Sequence, residues 1–175
     1  MNNIGALLTH PDIFQSAFTS PAEFPLSPQV RRACEMNLCG RYGRSWTCPP
    51  AVGSEQESAE KLAAFDNAFV FTFVGHLEDS FDIEGMDAAR CKAAQIRGEL
   101  TERLGENGIK YLPLGCGSCD ICECCTYPDS PCRFPEKAVV SVEAYGTDVV
   151  ALAAKLGINY HNGANTVTYF NAILY

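Results

Sequence analysis

Three stretches of the chain carry a clear hydrophobic period. Ala68-Phe-Val-Phe-Thr-Phe-Val74 is an unbroken run of β-branched and aromatic residues, which predicts a buried strand. Met86, Ala89, Ala93, Ile96, Leu100 and Leu104 recur at helical spacing and predict an amphipathic helix ended by Gly105. Residues 166–175, rich in Thr, Val, Tyr, Phe and Ile, predict a closing strand. Between these, Ile109 to Leu114 reads as a second short strand. Strand, helix and strand then form a right-handed crossover unit if the two strands pair in parallel.

Local signals set the other elements. Ser54-Glu-Gln-Glu57 is a capping box that starts a helix reaching about Phe65. Ser27 and Pro28 are a cap and first-turn pair for a short helix through Val30 and Ala33, which Asn37 can terminate. Gly146-Thr-Asp148 caps a helix with the face Val149, Leu152, Ala153 and Leu156, stopped by Gly157. Pro11, Pro21, Pro25 and Pro28 make residues 1–28 read as an irregular arm. Ala138 to Ala144 is compatible with either an extended or a helical piece. Together these elements predict one α+β domain over residues 1–175. Its small sheet of three or four strands is flanked by helices, with two cysteine-rich loops at one end.

Composition narrows the setting. Apolar residues make up 47% and charged residues 19%, as in an ordinary globular protein with a real core. The first ten residues lack a basic stretch before their short apolar run, so no signal peptide is expected. The 68–74 run is too short to span a bilayer. Residence in the cytoplasm is therefore expected, where clustered thiols serve metals rather than disulfides. A net charge of −8 argues against nucleic acid as the main partner. Arg31, Arg32, Arg41 and Arg44 form a local basic patch, read as balancing nearby thiolates.

The chemistry lies in the cysteines. Eight of the ten fall in two blocks. The first is Cys34, Cys39 and Cys48, the last followed by Pro49-Pro50; the second is Cys116, Cys119, Cys122, Cys124, Cys125 and Cys132 with Cys124 set aside. Thiolate is a soft ligand that selects zinc, iron–sulfur or copper(I). The Cys119, Cys122, Cys125 triple with a remote fourth thiol resembles bacterial ferredoxin spacing and fits a [4Fe–4S] cluster better than one tetrahedral zinc. Cys132 completes that set. The first block needs a fourth ligand, for which Cys116 is the best candidate and His76 a weaker one. A three-thiolate site with an open iron is the alternative. Cys91 and Cys124 are left outside both sets. Backbone amides near Gly115 and Gly117 are placed to approach a cluster, and Arg133 with Glu136 is a candidate salt bridge. Ser141, Glu143, Tyr145 and Asp148 read as capping and hydrogen-bonding residues. The two blocks are expected to converge, because three thiols alone cannot close a coordination sphere.

Three motifs in order are Cys39-Gly-Arg-Tyr-Gly-Arg-Ser-Trp-Thr-Cys48-Pro-Pro, Cys119-x2-Cys122-x2-Cys125-x6-Cys132-Arg-Phe-Pro-Glu, and Ser141-Val-Glu-Ala-Tyr-Gly-Thr-Asp-Val149. They resemble a prokaryotic domain-of-unknown-function family of predicted metal-binding proteins, over roughly residues 30–175. The resemblance implies a cysteine-ligated metal protein of iron–sulfur type and no assigned reaction. Three functions follow as expectations. The first is an electron-transfer or redox accessory protein with one or two [4Fe–4S] clusters, served by a redox partner protein and not by nucleic acid or membrane. The second is a zinc-stapled interaction module, and the third an enzyme using an open iron on a small substrate.

Overall fold

The computed structural model describes residues 3–175. In chain order, helix α1 (Ile4–Leu7) precedes strand β1 (Gln15–Thr19), and helices α2 (Pro28–Glu35) and α3 (Glu55–Ala63) lead to β2 (Ala68–His76). The long α4 (Ile83–Glu106) leads to β3 (Leu112–Gly115), and β4 (Val140–Ser141), α5 (Val149–Leu156) and β5 (Thr166–Leu174) complete the order. The expected α+β class holds, but the sheet has five strands in the order β1-β2-β5-β3-β4, not three or four.

The extra strands come from segments too short or too polar to announce themselves. β1 lies inside the 1–28 arm that was expected to be irregular, of which residues 1 and 2 fall outside the described residues. It pairs antiparallel with β2, Gln15 opposite Thr72 and Thr19 opposite Ala68, and only one face is partly covered. Such an edge strand needs little apolar content. β4 is two residues long and runs parallel to β3, Gly115 opposite Ser141. It resolves the ambiguous 138–144 piece as a strand followed by a 3-10 turn at Glu143–Tyr145.

β2 and β3 do not pair. β5 lies between them, antiparallel to both, so the expected crossover unit is split by the C-terminal strand. Both faces of this central sheet are covered, which explains the near-continuous apolar runs of β2 and β5. Ala68, Val70, Phe170, Ala172 and Leu174 join one core with Leu62 of α3 and Leu152 of α5. Phe69, Phe71 and Ile173 face the other way, against Ile96, Leu100 and Leu104 of α4. The side-chain period of two sorts the residues between the two cores.

The α4 helix runs past Gly105, the expected stop, to Glu106. Gly108, at φ 68°, supplies the left-handed residue instead. Its N–H donates to Gly105 O at 2.9 Å and Ile109 N–H to Leu104 O at 3.0 Å, the paired bonds of a glycine-terminated helix end. Ile109 is thereby used to close the helix, and β3 starts only at Leu112. The capping box of α3 forms as expected, with Ser54 Oγ accepting from Glu57 N–H and the Glu57 carboxylate accepting from Ser54 N–H. Asp148 caps α5 by accepting from Ala151 N–H at 2.9 Å. Ser27 does precede α2, but its hydroxyl turns to Gln29 Oε1 at 2.8 Å and makes no cap bond.

At Gly75 the sheet and α4 come closest: a Cβ there would stand 2.4 Å from the Ala89 methyl. The neighbour is a short side chain on a long helix and cannot swing aside. Gly75→Ala is therefore expected to destabilise by about 1–3 kcal/mol through overpacking. Urea unfolding should show a lower midpoint with an unchanged slope; an unmoved midpoint would contradict the close packing.

Candidate metal centre

The first cysteine block hangs between α2 and α3. Cys34 sits in the last turn of α2, and Asn37, at φ 54°, turns the chain out of the helix as expected. Asn37 Oδ1 then accepts from Tyr42 N–H at 3.0 Å, and Gly43 N–H donates to Pro49 O at 2.9 Å, so the loop doubles back on itself. Cys48 N–H donates to Ser45 O, and Val52 N–H to Cys48 O. Beneath the loop lies the buried Arg31, whose Nη2 donates to Gly53 O at 3.1 Å and Ser58 Oγ at 3.2 Å. This one guanidinium ties the helix that carries Cys34 to the segment that follows Cys48. A role for Arg31 as a charge balance alone misses this structural bond.

The second block leaves the sheet at Gly115, where β3 ends. Gly117, at φ 70°, turns the chain between Cys116 and Cys119. Cys119 N–H donates to Thr47 Oγ1 at 3.1 Å, and Trp46 Nε1–H donates to Ser130 O at 3.1 Å. The Trp46 ring meets Tyr127 edge-on, with centroids 4.9 Å apart. These contacts join residues 72 and 84 positions apart in sequence. The two blocks thus meet, through the Ser45-Trp46-Thr47 segment. One pocket is lined by Cys119, Cys122, Cys125 and Cys132 together with that segment. Arg133 does not pair with Glu136; its Nη1 donates to Cys124 O at 2.9 Å and closes the second loop.

The thiols differ in electrostatics. Burial pushes Cys34, Cys48 and Cys119 up from the ordinary thiol value, and the neighbouring thiols add to the rise. Burial pushes Cys116 up to about 11, against the opposing pull of Arg97. Cys125 moves the other way. Burial raises it, but hydrogen bonds from the backbone of Tyr127, Trp46 and Thr126 and from the Ser45 side chain outweigh that and lower it. Its thiolate is thus held by donors from both blocks.

Electrostatic neighbours sort the candidate ligands into groups. Cys34, Cys39 and Cys48 feel one another, and Cys119, Cys122 and Cys132 form a second set. Arg97 and Arg90 oppose the rise at Cys116, and Glu143 adds to it. Glu143, whose carboxyl is pushed up by burial, also adds to the rise at Cys34 and has no cation in ion-pair contact among the described residues. The turn that carries it packs on α2. Sequence reasoning read Glu143 as a local hydrogen-bonding residue; only the fold brings it to Cys34. His76 is exposed at the far end of β2, paired with Thr166. Cys91 is exposed on α4 beside Arg90, and Cys124 is exposed in the second loop.

The chain belongs to the family described as "Predicted metal-binding protein (DUF2284)", which matches residues 18–175. No curated protein and no solved structure is matched by it.

The donor set fits that description. All ten cysteines are free thiols, and four of the second block share a pocket with the Ser45-Trp46-Thr47 segment that precedes Cys48. Among the described residues no three His, Cys, Asp or Glu side chains form a group that could hold a metal ion. An ordinary thiol is mostly protonated at neutral pH, and burial raises Cys34, Cys48 and Cys119 further, so a metal bound by them would displace their protons. Affinity should therefore rise with pH, by about tenfold per pH unit for each proton released. Cobalt(II) titrations followed by the thiolate charge-transfer band at pH 6, 7 and 8 test this. An affinity that is flat over this range would count against ligation by these thiols.

Proposed function

We propose, with membership of a metal-binding family as the premise, that this protein carries one or two [4Fe–4S] clusters and acts in electron transfer or as a redox accessory protein. The observation that supports this reading is the pocket where Cys119, Cys122, Cys125 and Cys132 meet Ser45, Trp46 and Thr47. Its ligands are all sulfur, which favours soft metals, and the triple with two-residue gaps follows ferredoxin-type ligation. Cys34, Cys39 and Cys48 would hold a second group, with Cys116 or Glu143 as the remaining donor.

A cubane bound at these thiols would supply one-electron transfer. The chain's own part is to hold and tune it. Thr47 fixes the backbone at Cys119, and the donors around Cys125 stabilise charge on its sulfur. Trp46 and Tyr127 shield one side with an aromatic wall. Around the loops Met36, Leu38, Ile121 and Phe134 are exposed apolar residues, and such a rim suits a docking partner. The net charge of −8 favours a basic redox partner in the reducing cytoplasm.

The test is iron and acid-labile sulfide analysis, with electron paramagnetic resonance, on protein purified anaerobically. Brown protein with near-equal iron and sulfide that bleaches with dithionite is expected. Cys122→Ser should lose iron and much of its solubility, whereas Cys91→Ser, altered on the exposed side of α4, should match the parent. Colourless protein with stoichiometric zinc and no sulfide would overturn the cluster, as would equal iron in both variants.

A further inference from the structure

We propose that a hollow between α4, the end of β3 and the Cys116–Ile121 loop binds a small oxyanion, the phosphate or carboxylate group of a small molecule, at the edge of the thiol site. Arg90, Arg97 and Lys137 line it, against one carboxylate, Asp120. A local excess of cations is unexpected on a chain whose net charge is −8. Two of the three are not neutralised. Arg90 is, since it pairs with Asp87 at 2.7 Å and with Asp120. Lys137 lies over the Phe134 ring, 5.9 Å from its centroid, and has no carboxylate in ion-pair contact among the described residues.

Arg97 is the anchor. Its Nη1 donates to Asn171 Oδ1 at 2.7 Å, and no other hydrogen bond and no ion pair engages its guanidinium among the described residues. A guanidinium carries five N–H donors, so most remain for a ligand. Its position is dictated by the fold. Asn171 is a fully buried amide on the α4 side of β5, and it draws Arg97 inward to where β3 ends. At Gly115 a Cβ would stand 2.7 Å from Arg97 Nη1, so only glycine lets the cation lie against the strand end. Asp120, the one carboxylate of the hollow, acts on Arg97 only from a distance and pairs with Arg90 instead, so an oxyanion would add charge-assisted hydrogen bonds that Arg97 lacks.

The position gives the hollow a purpose. Cys119 and Ile121 line both this hollow and the pocket of Cys122, Cys125 and Cys132. An anionic molecule held by Arg97 and Lys137 would lie directly beside the thiol site. Binding itself rests on the cations and does not depend on which metal the thiols hold.

The experiment is calorimetric titration of the full chain, purified anaerobically, with inorganic phosphate and with acetate, at ionic strength matched by sodium chloride. Saturable binding of at least one probe is expected, and the tighter of the two names the group. Arg97→Gln and Lys137→Gln should each weaken it about tenfold, whereas Lys110→Gln, at a cation far from the hollow, should leave it unchanged. Lys137 is exposed, so its variant decides the matter if Arg97→Gln does not fold. Absence of saturable binding by both probes overturns the proposal. So does binding that Lys137→Gln leaves as tight as in the parent. Neither result bears on the cluster, which iron and sulfide content reads separately.

Discussion

The antiparallel seam between β2 and β5 runs the full nine residues of each strand, from Ala68 opposite Leu174 to His76 opposite Thr166. Everything else is placed against it. Because residues 68–72 of β2 and 170–174 of β5 are buried on both faces, the centre of the sheet offers no surface on which to build a polar site. Chemistry is pushed to the strand ends and edges. β3 pairs with β5 only as far as Leu114 opposite Ala172, and the chain leaves the sheet there to form the second cysteine loop. The short length of β3 thus decides where the thiols sit.

Arginines then fix the loops, and they do so mostly through neutral oxygen acceptors. Arg31 binds Gly53 O and Ser58 Oγ, Arg97 binds Asn171 Oδ1, and Arg133 binds Cys124 O. A guanidinium suits this work because its planar fork spans two acceptors and stays charged in all conditions. Each of the three ends up close to a thiol loop. They shape the loops first, and the charges of Arg31 and Arg97 also oppose the rise of Cys34 and Cys116.

At Cys34, Cys48 and Cys119 burial and the neighbouring thiols act in the same direction, since charges packed together would repel one another. Cys125 differs, because donors from both loops outweigh its burial and favour the charged sulfur. The contrast comes in part from the Ser45-Trp46 segment, which reaches the second loop only through the tertiary fold.

Much of this was legible in the chain itself. An apolar run marked β2, a stretch of β-branched and aromatic residues marked β5, helical spacing marked α4, and the Ser54 and Asp148 caps formed as read, because each depends on residues within a few positions of one another. The close spacing of Cys119, Cys122 and Cys125 marked a metal-binding protein in the same local way, in keeping with the family the chain belongs to. Short-range reasoning missed β1, placed the end of α4 at Gly105, and left the pairing of β2 with β3 as a condition that the sheet does not meet. Gly108 outcompetes Gly105 because it alone takes the left-handed turn, and β5 enters between β2 and β3 from the far end of the sequence. The same distance in sequence hid Thr47 beneath Cys119, Glu143 beside Cys34 and Arg97 against Gly115. Ligand types and loop spacing are properties of neighbours along the chain, so the sequence by itself determined them. Which charges and donors surround those ligands depends on strand order and on helices packing across the sheet, so only the tertiary structure decided it.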